Sequence, residues 1–219
     1  MTLDAAFWLA QVGTASQVLL LATGVLGLVR YRQLPGGLRW LVALVWFGLA
    51  IETAAMLLEA WHRPNLLLIP LDAAGELWLL SLLFAWGLGS AKFSRWRPWL
   101  AGGFVLYAAL RTALVPEAAR FKPDLLVVEC LLVLGMAGLY FRKVLRELRG
   151  PHLAHDPMFW VSAGLLLYGL GKLQIALFSN YLLAHYSQSL NLWVWTIHGL
   201  LLIVLYGCYG RALWLRLQK

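Results

Sequence analysis

Five ionisable side chains lie within long apolar stretches of this sequence: Glu52, Glu76, Glu129, Lys172 and His198. A charged side chain at the centre of a membrane helix costs about 2.5–3.5 kcal/mol on insertion scales, so such residues are seldom kept without a role. Carboxylates, an amine and an imidazole can together hold a polar ligand, pass a proton or form internal ion pairs. These five residues, with Gln17 of the first apolar stretch, are therefore the candidate ligand-binding set.

The apolar stretches that carry these residues are long enough to cross a bilayer as helices. A span needs about 20 mostly apolar residues. Seven segments qualify, at about 7–29, 38–61, 66–90, 98–115, 124–144, 158–182 and 190–214. The chain is 62% hydrophobic and 13% charged, with a mean hydropathy of +0.74, whereas about a quarter of the residues in soluble domains are charged. The sequence predicts an all-α polytopic membrane protein, a single seven-helix domain over residues 1–219.

Prolines and basic residues mark the ends of these spans. The eight prolines are all predicted to lie at or near span ends, where proline starts or stops a helix. The basic residues predicted on one side are Arg30, Arg32, Arg39, Lys92, Arg95, Arg97, Arg142, Lys143, Arg146, Arg149, Arg211, Arg216 and Lys219. The other side has only Arg63, Arg111, Arg120 and Lys122. By the positive-inside rule, we expect an inner (plasma) membrane protein with its N-terminus outside and its C-terminus in the cytoplasm, and with its first helix retained.

This orientation places the candidate residues at one depth. Counting from the outer end of each span at about 1.5 Å per residue, they lie roughly 7–15 Å below the outer surface. A shared depth on several helices predicts a polar cavity that faces outward. Glu59, Asp72 and Arg111 are expected nearer its mouth, with Arg111 closing the ring of helices from the fourth span.

Each candidate also has a purely structural interpretation. Lys172 is expected to pair with one of the glutamates, because each then neutralises the other in a medium of low dielectric constant. His198 can be a hydrogen-bonded core residue, and Gln17 can form a hydrogen bond across a helix interface. Glu59, Asp72 and Asp124 lie near the interface and can simply be solvated, and burial can keep Glu129 protonated.

Several other chemistries fit the residues poorly. A retinal pigment of the microbial type carries its lysine in the seventh helix, which here has His198 instead. A zinc-dependent hydrolase or a haem protein needs several histidines that face one another, and the histidines of this sequence do not fit that pattern. The net charge of +8 comes from basic residues between the apolar stretches, so it indicates topology and not nucleic-acid binding. We expect no enzymatic activity, no metal and no cofactor.

A faint internal repeat relates the first three spans to the last three. Residues 24–28 (GVLGL) resemble residues 135–139 (GMAGL), residues 47–49 (FGL) resemble residues 168–170 (YGL), and Glu76 aligns with His198. The pattern predicts two parallel three-helix units joined by a linker helix. SWEET-type sugar transporters have this layout, but their intrahelical prolines and their Pro-Gln signature are not found here.

The second half of the chain carries a resemblance to a known group. It rests on residues 156–169 (DPMFWVSAGLLLYG), 178–182 (FSNYL) and 195–198 (WTIH), together with Glu52 and residues 69–76 (IPLDAAGE). With these stretches the chain resembles small bacterial seven-helix membrane proteins that often accompany sensor histidine kinases. The resemblance implies a sensing association and no catalytic residues.

The polar layer and the absence of an output segment predict a receptor-like or regulatory protein. It would bind a small polar or amphipathic ligand, or a lipid, in the cavity and act on a sensor kinase or another membrane partner. A small proton-coupled transporter built on the repeat is the alternative. A structural membrane subunit, with a small-residue interface around Gly24, Gly27, Gly135 and Gly138, is the third.

Overall fold

In the computed structural model, a long helix lies at each predicted span. The model describes residues 2–63, 65, 68–114, 123–147, 150–185 and 188–215. The helices are α1 (Thr2–Val29), α2 (Leu38–Ala60), α3 (Leu68–Leu88), α4 (Ala91–Leu114), α5 (Pro123–Arg146), α6 (Pro157–His185) and α7 (Gln188–Trp214). Short 3₁₀ helices follow α1 at Tyr31–Gln33 and precede α6 at Gly150–His155. The described residues contain no strand, so the predicted all-α class is confirmed. Among the basic residues used to predict the topology, Arg120, Lys122, Arg149, Arg216 and Lys219 lie outside the described residues.

Six of these helices are long and apolar enough to cross a membrane, counting the described residues alone. They are α1, α2, α3, α5, α6 and α7. Lipid offers no partner for backbone amides, and a helix satisfies these groups internally, so such stretches fold as helices. The chain is therefore a multi-pass membrane protein.

Helix α4 is less apolar than the other six, and it begins before the predicted span. It begins at Ala91, whereas the predicted span begins at residue 98, and its first turns carry Lys92, Arg95 and Arg97. Pro98 lies inside this helix and not at its end. Proline removes one backbone hydrogen bond of the helix, and helices at membranes tolerate this loss where neighbouring groups compensate for it.

Contacts between helices establish their directions. Lys172 contacts both Glu76 of α3 and Glu129, which lies near the start of α5. Near the end of α5, Lys143 donates hydrogen bonds to the last carbonyl groups of α3. Helices α3 and α5 are therefore parallel, and α4, which connects them in the sequence, runs the opposite way. We call the end of the bundle where α1, α3, α5 and α7 begin the near end, and the opposite end the far end.

The helices form a closed ring in the order α1, α2, α3, α5, α6 and α7, with α7 packed against α1. Gly27 of α1 lets these helices approach closely, because a Cβ atom there would lie 2.9 Å from Val42 of α2 and 3.4 Å from Leu213 of α7. Helix α4 packs outside the ring against α3. The centre of the ring is thus enclosed by the six apolar helices.

The far half of the ring is a tightly packed apolar core. It contains fully buried side chains from several helices, including Leu38 and Leu41 of α2, Leu83 and Phe84 of α3, and Leu213 of α7. Large apolar side chains on the outside of the ring are exposed, as Val18, Leu21, Val25 and Leu28 are along one face of α1. Such a face is suited to contact with lipid. The predicted site residues Glu52, Glu76, Glu129 and His198 lie in the other half.

Candidate ligand-binding site

Lys172 joins three helices through two carboxylates. Its Nζ atom lies 3.0 Å from Oε1 of Glu129 on α5 and 3.4 Å from Oε2 of Glu76 on α3. The side chains of Lys172 and Glu76 are 14% and 17% exposed, and that of Glu129 is 1% exposed. We call these three residues the lysine triad. The predicted pair is therefore a triad, and its buried charges compensate one another as buried charges must.

A cavity of about 290 Å³ lies next to the lysine triad, between α1, α2, α3, α6 and α7. The side chains of Glu52, Asp72, Glu76 and His198 line it. Glu129 and Lys172 do not, since they lie behind Glu76 on the side of α5 and α6. The structure thus brings four of the predicted residues to one cavity.

Two glycines shape this cavity. A Cβ atom at Gly75 would meet the ring of Phe47 at close range, so the bare backbone lets the ring lie against α3 just before Glu76. Gly48 lines the cavity, and a Cβ atom there would have nothing within 4 Å. The open space beside α2 therefore depends on the absence of a side chain at this position.

Gln17 of α1 supports Glu52 of α2. The amide nitrogen Nε2 of Gln17 donates to Oε1 of Glu52 at 3.4 Å and approaches the sulfur atom of Met56 at 3.5 Å. This contact across the helix interface is the structural role expected for Gln17. It also leaves Glu52 with a neutral partner only, among the described residues.

Aromatic rings surround His198. Its ring centroid lies 5.5 Å from that of Tyr168 on α6 and 5.7 Å from that of Trp195 on α7. The Nζ atom of Lys172 lies 5.7 Å from the ring centroid of Tyr168, and this ring also borders the cavity. The Nδ1 atom of His198 is buried and has no hydrogen-bond partner among the described residues.

Two residues expected at the cavity mouth lie elsewhere. Glu59 is exposed in the last turn of α2 and does not line the cavity. Arg111 does not close the ring, because α4 packs outside it. Its Nε atom lies 2.7 Å from Oδ2 of Asp124, which also accepts a hydrogen bond from the hydroxyl group of Tyr107 at 3.0 Å.

The tyrosines of the cavity wall were not predicted from the sequence. Tyr206 and Tyr209 of α7 and Tyr168 of α6 line it. Tyr206 and Tyr209 follow His198 by eight and eleven residues, which at 3.6 residues per turn places them on one face of the helix. That spacing is the signal that could have identified them.

Among the described residues, no group of three or more His, Cys, Asp or Glu side chains is arranged to hold a metal ion. Cys130 and Cys208 are free thiols. The arrangement instead offers carboxylates, an imidazole and phenol hydroxyl groups beside an internal ion-pair network.

Comparison with known proteins gives no match: no family model, no curated protein and no solved structure is detectably similar to this chain.

Proposed function

We propose that this protein is a receptor-like or regulatory membrane protein that binds a small polar or amphipathic ligand in the cavity lined by Glu52, Asp72, Glu76 and His198. The observation that supports this most is the position of the cavity. Polar side chains from α2, α3 and α7 converge on an open space in the middle of a ring whose outer surface is apolar. Polar groups are retained at such a depth mainly at binding or transport sites.

We further propose that all seven helices cross the inner membrane with the far end in the cytoplasm. Ten described basic residues lie towards the far end, from Arg30 to Arg211, and two, Arg63 and Arg111, lie towards the near end. Basic residues favour the cytoplasmic side. The candidate residues then lie in the outer half of the membrane, where a ligand from outside reaches them.

Signal output through a sensor kinase or another membrane partner belongs to the same proposal. The motivation is the resemblance of residues 156–169 and 195–198 to small seven-helix proteins that accompany such kinases. Ligand binding between α2 and α7 would change how the ring packs. A partner at the cytoplasmic side would respond to that change.

The test fills the cavity and leaves its charged side chains unchanged. Gly48→Leu puts a side chain into the cavity wall, where a Cβ atom meets nothing within 4 Å. The matched control is Gly103→Leu on α4, where a Cβ atom also meets nothing within 4 Å and the residue is exposed. Native mass spectrometry of the purified full chain should find a retained small molecule or lipid in the wild type and in the control, but not in Gly48→Leu. A species retained equally by all three proteins, or by none, would contradict ligand binding in the cavity.

A small proton-coupled transporter is the second candidate, because residues that the predicted repeat aligns lie at this cavity. Phe47 and Tyr168, which the repeat aligns, both line it, and so do Glu76 and His198. The ring of Phe47 lies against Gly75, the residue before Glu76, and the ring of Tyr168 lies beside His198. Substrate uptake into proteoliposomes that is abolished by Glu76→Gln or His198→Ala would favour this function over a receptor.

The glycines proposed for a structural subunit fall into two separate places. Gly24 and Gly27 are buried against α2 within the chain, whereas Gly135 and Gly138 are exposed on α5 with nothing within 4 Å of a Cβ atom. They do not form one continuous face, so this arrangement supports the scaffold function less than the cavity supports ligand binding.

A further inference from the structure

We propose that the ligand of the cavity is an organic cation: an ammonium group on a small apolar body, bound between the carboxylates of Glu52 and Asp72 and the tyrosines of α7. This inference rests on the proposed function and specifies its ligand class. It follows from the charge of the cavity wall, from an unpartnered hydroxyl group and from the aromatic lining.

The cavity wall carries carboxylates without a cation. Glu52, Asp72 and Glu76 line it, and no lysine or arginine is among its described lining residues. Lys172 lies nearby but already binds Glu76 and Glu129. Glu52 has the neutral amide of Gln17 as its partner, and Asp72 accepts no hydrogen bond from another described residue. An ammonium group placed here would compensate carboxylates that form no ion pair with a described residue.

The hydroxyl group of Tyr209 also lacks a partner. Tyr209 is 3% exposed and lines the cavity, and its hydroxyl oxygen has no hydrogen-bond partner among the described residues. Leaving a buried hydroxyl group unpaired is unfavourable, because the group loses its hydrogen bonds to water and gains none in the protein. The N–H groups of an ammonium ion, or the polarised C–H groups beside a quaternary nitrogen, can donate to this oxygen. Its presence in the wall is an independent sign that a polar ligand completes the site.

The aromatic lining suits a positive charge. Phe47, Tyr168, Tyr206 and Tyr209 all border the cavity. An ammonium over an aromatic ring is attracted by the negative face of the ring, most strongly where the ammonium is desolvated. The molecule already contains one such contact, between Lys172 and Tyr168.

The remaining lining residues and the volume describe the rest of the ligand. Ile51, Leu202 and Leu205 give the wall apolar side chains against which a hydrocarbon body can pack. The volume of about 290 Å³ is at the lower end of small-molecule sites, which span roughly 300–1,000 Å³. The ligand is therefore compact, with one cationic group and a small apolar part.

The experiment compares three probes of one shape and different charge: phenyltrimethylammonium, its uncharged isostere tert-butylbenzene, and benzenesulfonate. Binding to the full chain in phosphatidylcholine nanodiscs is measured by calorimetry and by the shift in thermal unfolding followed with tryptophan fluorescence. The wild type should bind the cation at least about tenfold more tightly than either other probe. Gly48→Leu in the same nanodiscs shows how much of each signal comes from partition into lipid.

Charge-removing variants locate the site. The double variant Glu52→Gln/Asp72→Asn should bind phenyltrimethylammonium at least about tenfold more weakly than the wild type. Glu59→Gln, which removes an exposed carboxylate from the same helix as Glu52, should bind it as the wild type does.

The outcomes separate the two proposals. If tert-butylbenzene or benzenesulfonate binds as tightly as the cation and Gly48→Leu abolishes that binding, the cation inference is overturned and the proposed function stands. The cation inference is likewise overturned if Glu52→Gln/Asp72→Asn binds the cation as the wild type does. If no probe binds and the wild type retains no molecule in native mass spectrometry, both proposals fail.

Discussion

The Nζ atom of Lys172 lies 3.0 Å from the Oε1 atom of Glu129, and this contact joins α6 to α5 in the interior of the ring. Glu129 is almost completely buried, so the strength of this ion pair is little reduced by solvent. Its other oxygen, Oε2, has no hydrogen-bond partner among the described residues. Lys172 therefore supplies most of the charge compensation for the Glu129 carboxylate, which would otherwise be isolated in an apolar medium.

We expect Lys172→Met to lower the free energy of unfolding by about 3–5 kcal/mol, because it removes one partner and leaves two buried carboxylates. Replacing the whole lysine triad, as in Lys172→Met/Glu76→Gln/Glu129→Gln, should recover most of that loss, since no unpaired charge remains. Thermal unfolding in nanodiscs provides the measurement. Additive losses in the triple variant would contradict the triad as an energetic unit.

The ion pair of Arg111 and Asp124 should behave differently. Its two side chains are 37% and 38% exposed, so solvent weakens the attraction between them. Asp124→Asn is therefore expected to lower the unfolding free energy far less than Lys172→Met does under the same conditions. A loss as large as that of Lys172→Met would mean that α4 and α5 depend on this contact far more than its exposure indicates.

Gly75 allows the ring of Phe47 to approach α3. Gly75→Ala places a Cβ atom against this ring, and overpacking of this kind costs about 1–3 kcal/mol. Adding Phe47→Leu to Gly75→Ala should relieve the collision and restore part of the stability. The control is Gly103→Ala, where a Cβ atom meets nothing within 4 Å, so that variant should be neutral or stabilising. Equal unfolding temperatures for Gly75→Ala and Gly103→Ala would argue against the close contact.

Asp156 connects α5 to the start of α6. Its Oδ1 atom accepts a hydrogen bond from the backbone N–H of Met158 at 2.9 Å, and its Oδ2 atom accepts one from the hydroxyl group of Tyr140 at 2.6 Å. Asp156→Ala removes an N-cap, which costs about 0.5–2 kcal/mol, and it also removes an acceptor of the hydroxyl group of Tyr140, a residue that is 2% exposed. It should destabilise the protein more than Tyr140→Phe, which leaves the N-cap intact. The reverse order in unfolding experiments would refute the capping role.

Much of the fold could be predicted from the sequence, because the local composition of a segment indicates whether it forms a membrane helix. Helices α2, α5, α6 and α7 begin and end within a few residues of the predicted spans. The start of α4 could not be predicted in this way. Its first turns are basic and Pro98 follows them, and both features are more typical of a helix boundary than of a helix interior.

The candidate site was predictable only in part. Apolar surroundings identified Glu52, Glu76, Glu129, Lys172 and His198, and helical rise predicted a common depth for them. Depth does not give the direction of a side chain around its helix. That direction separates Glu52 and His198, which line the cavity, from Glu129, which lies behind it.

By itself, then, the sequence determined that the chain is an all-α membrane protein and which polar residues lie within its apolar stretches, because the cost of burying charge depends on local composition. The tertiary structure decided that Lys172 binds two glutamates, that Arg111 pairs with Asp124 outside the ring, and that the tyrosines of α6 and α7 complete the cavity wall. These features depend on which helices are neighbours and how each is rotated about its axis. Packing between distant segments sets both, and no single apolar stretch contains that information.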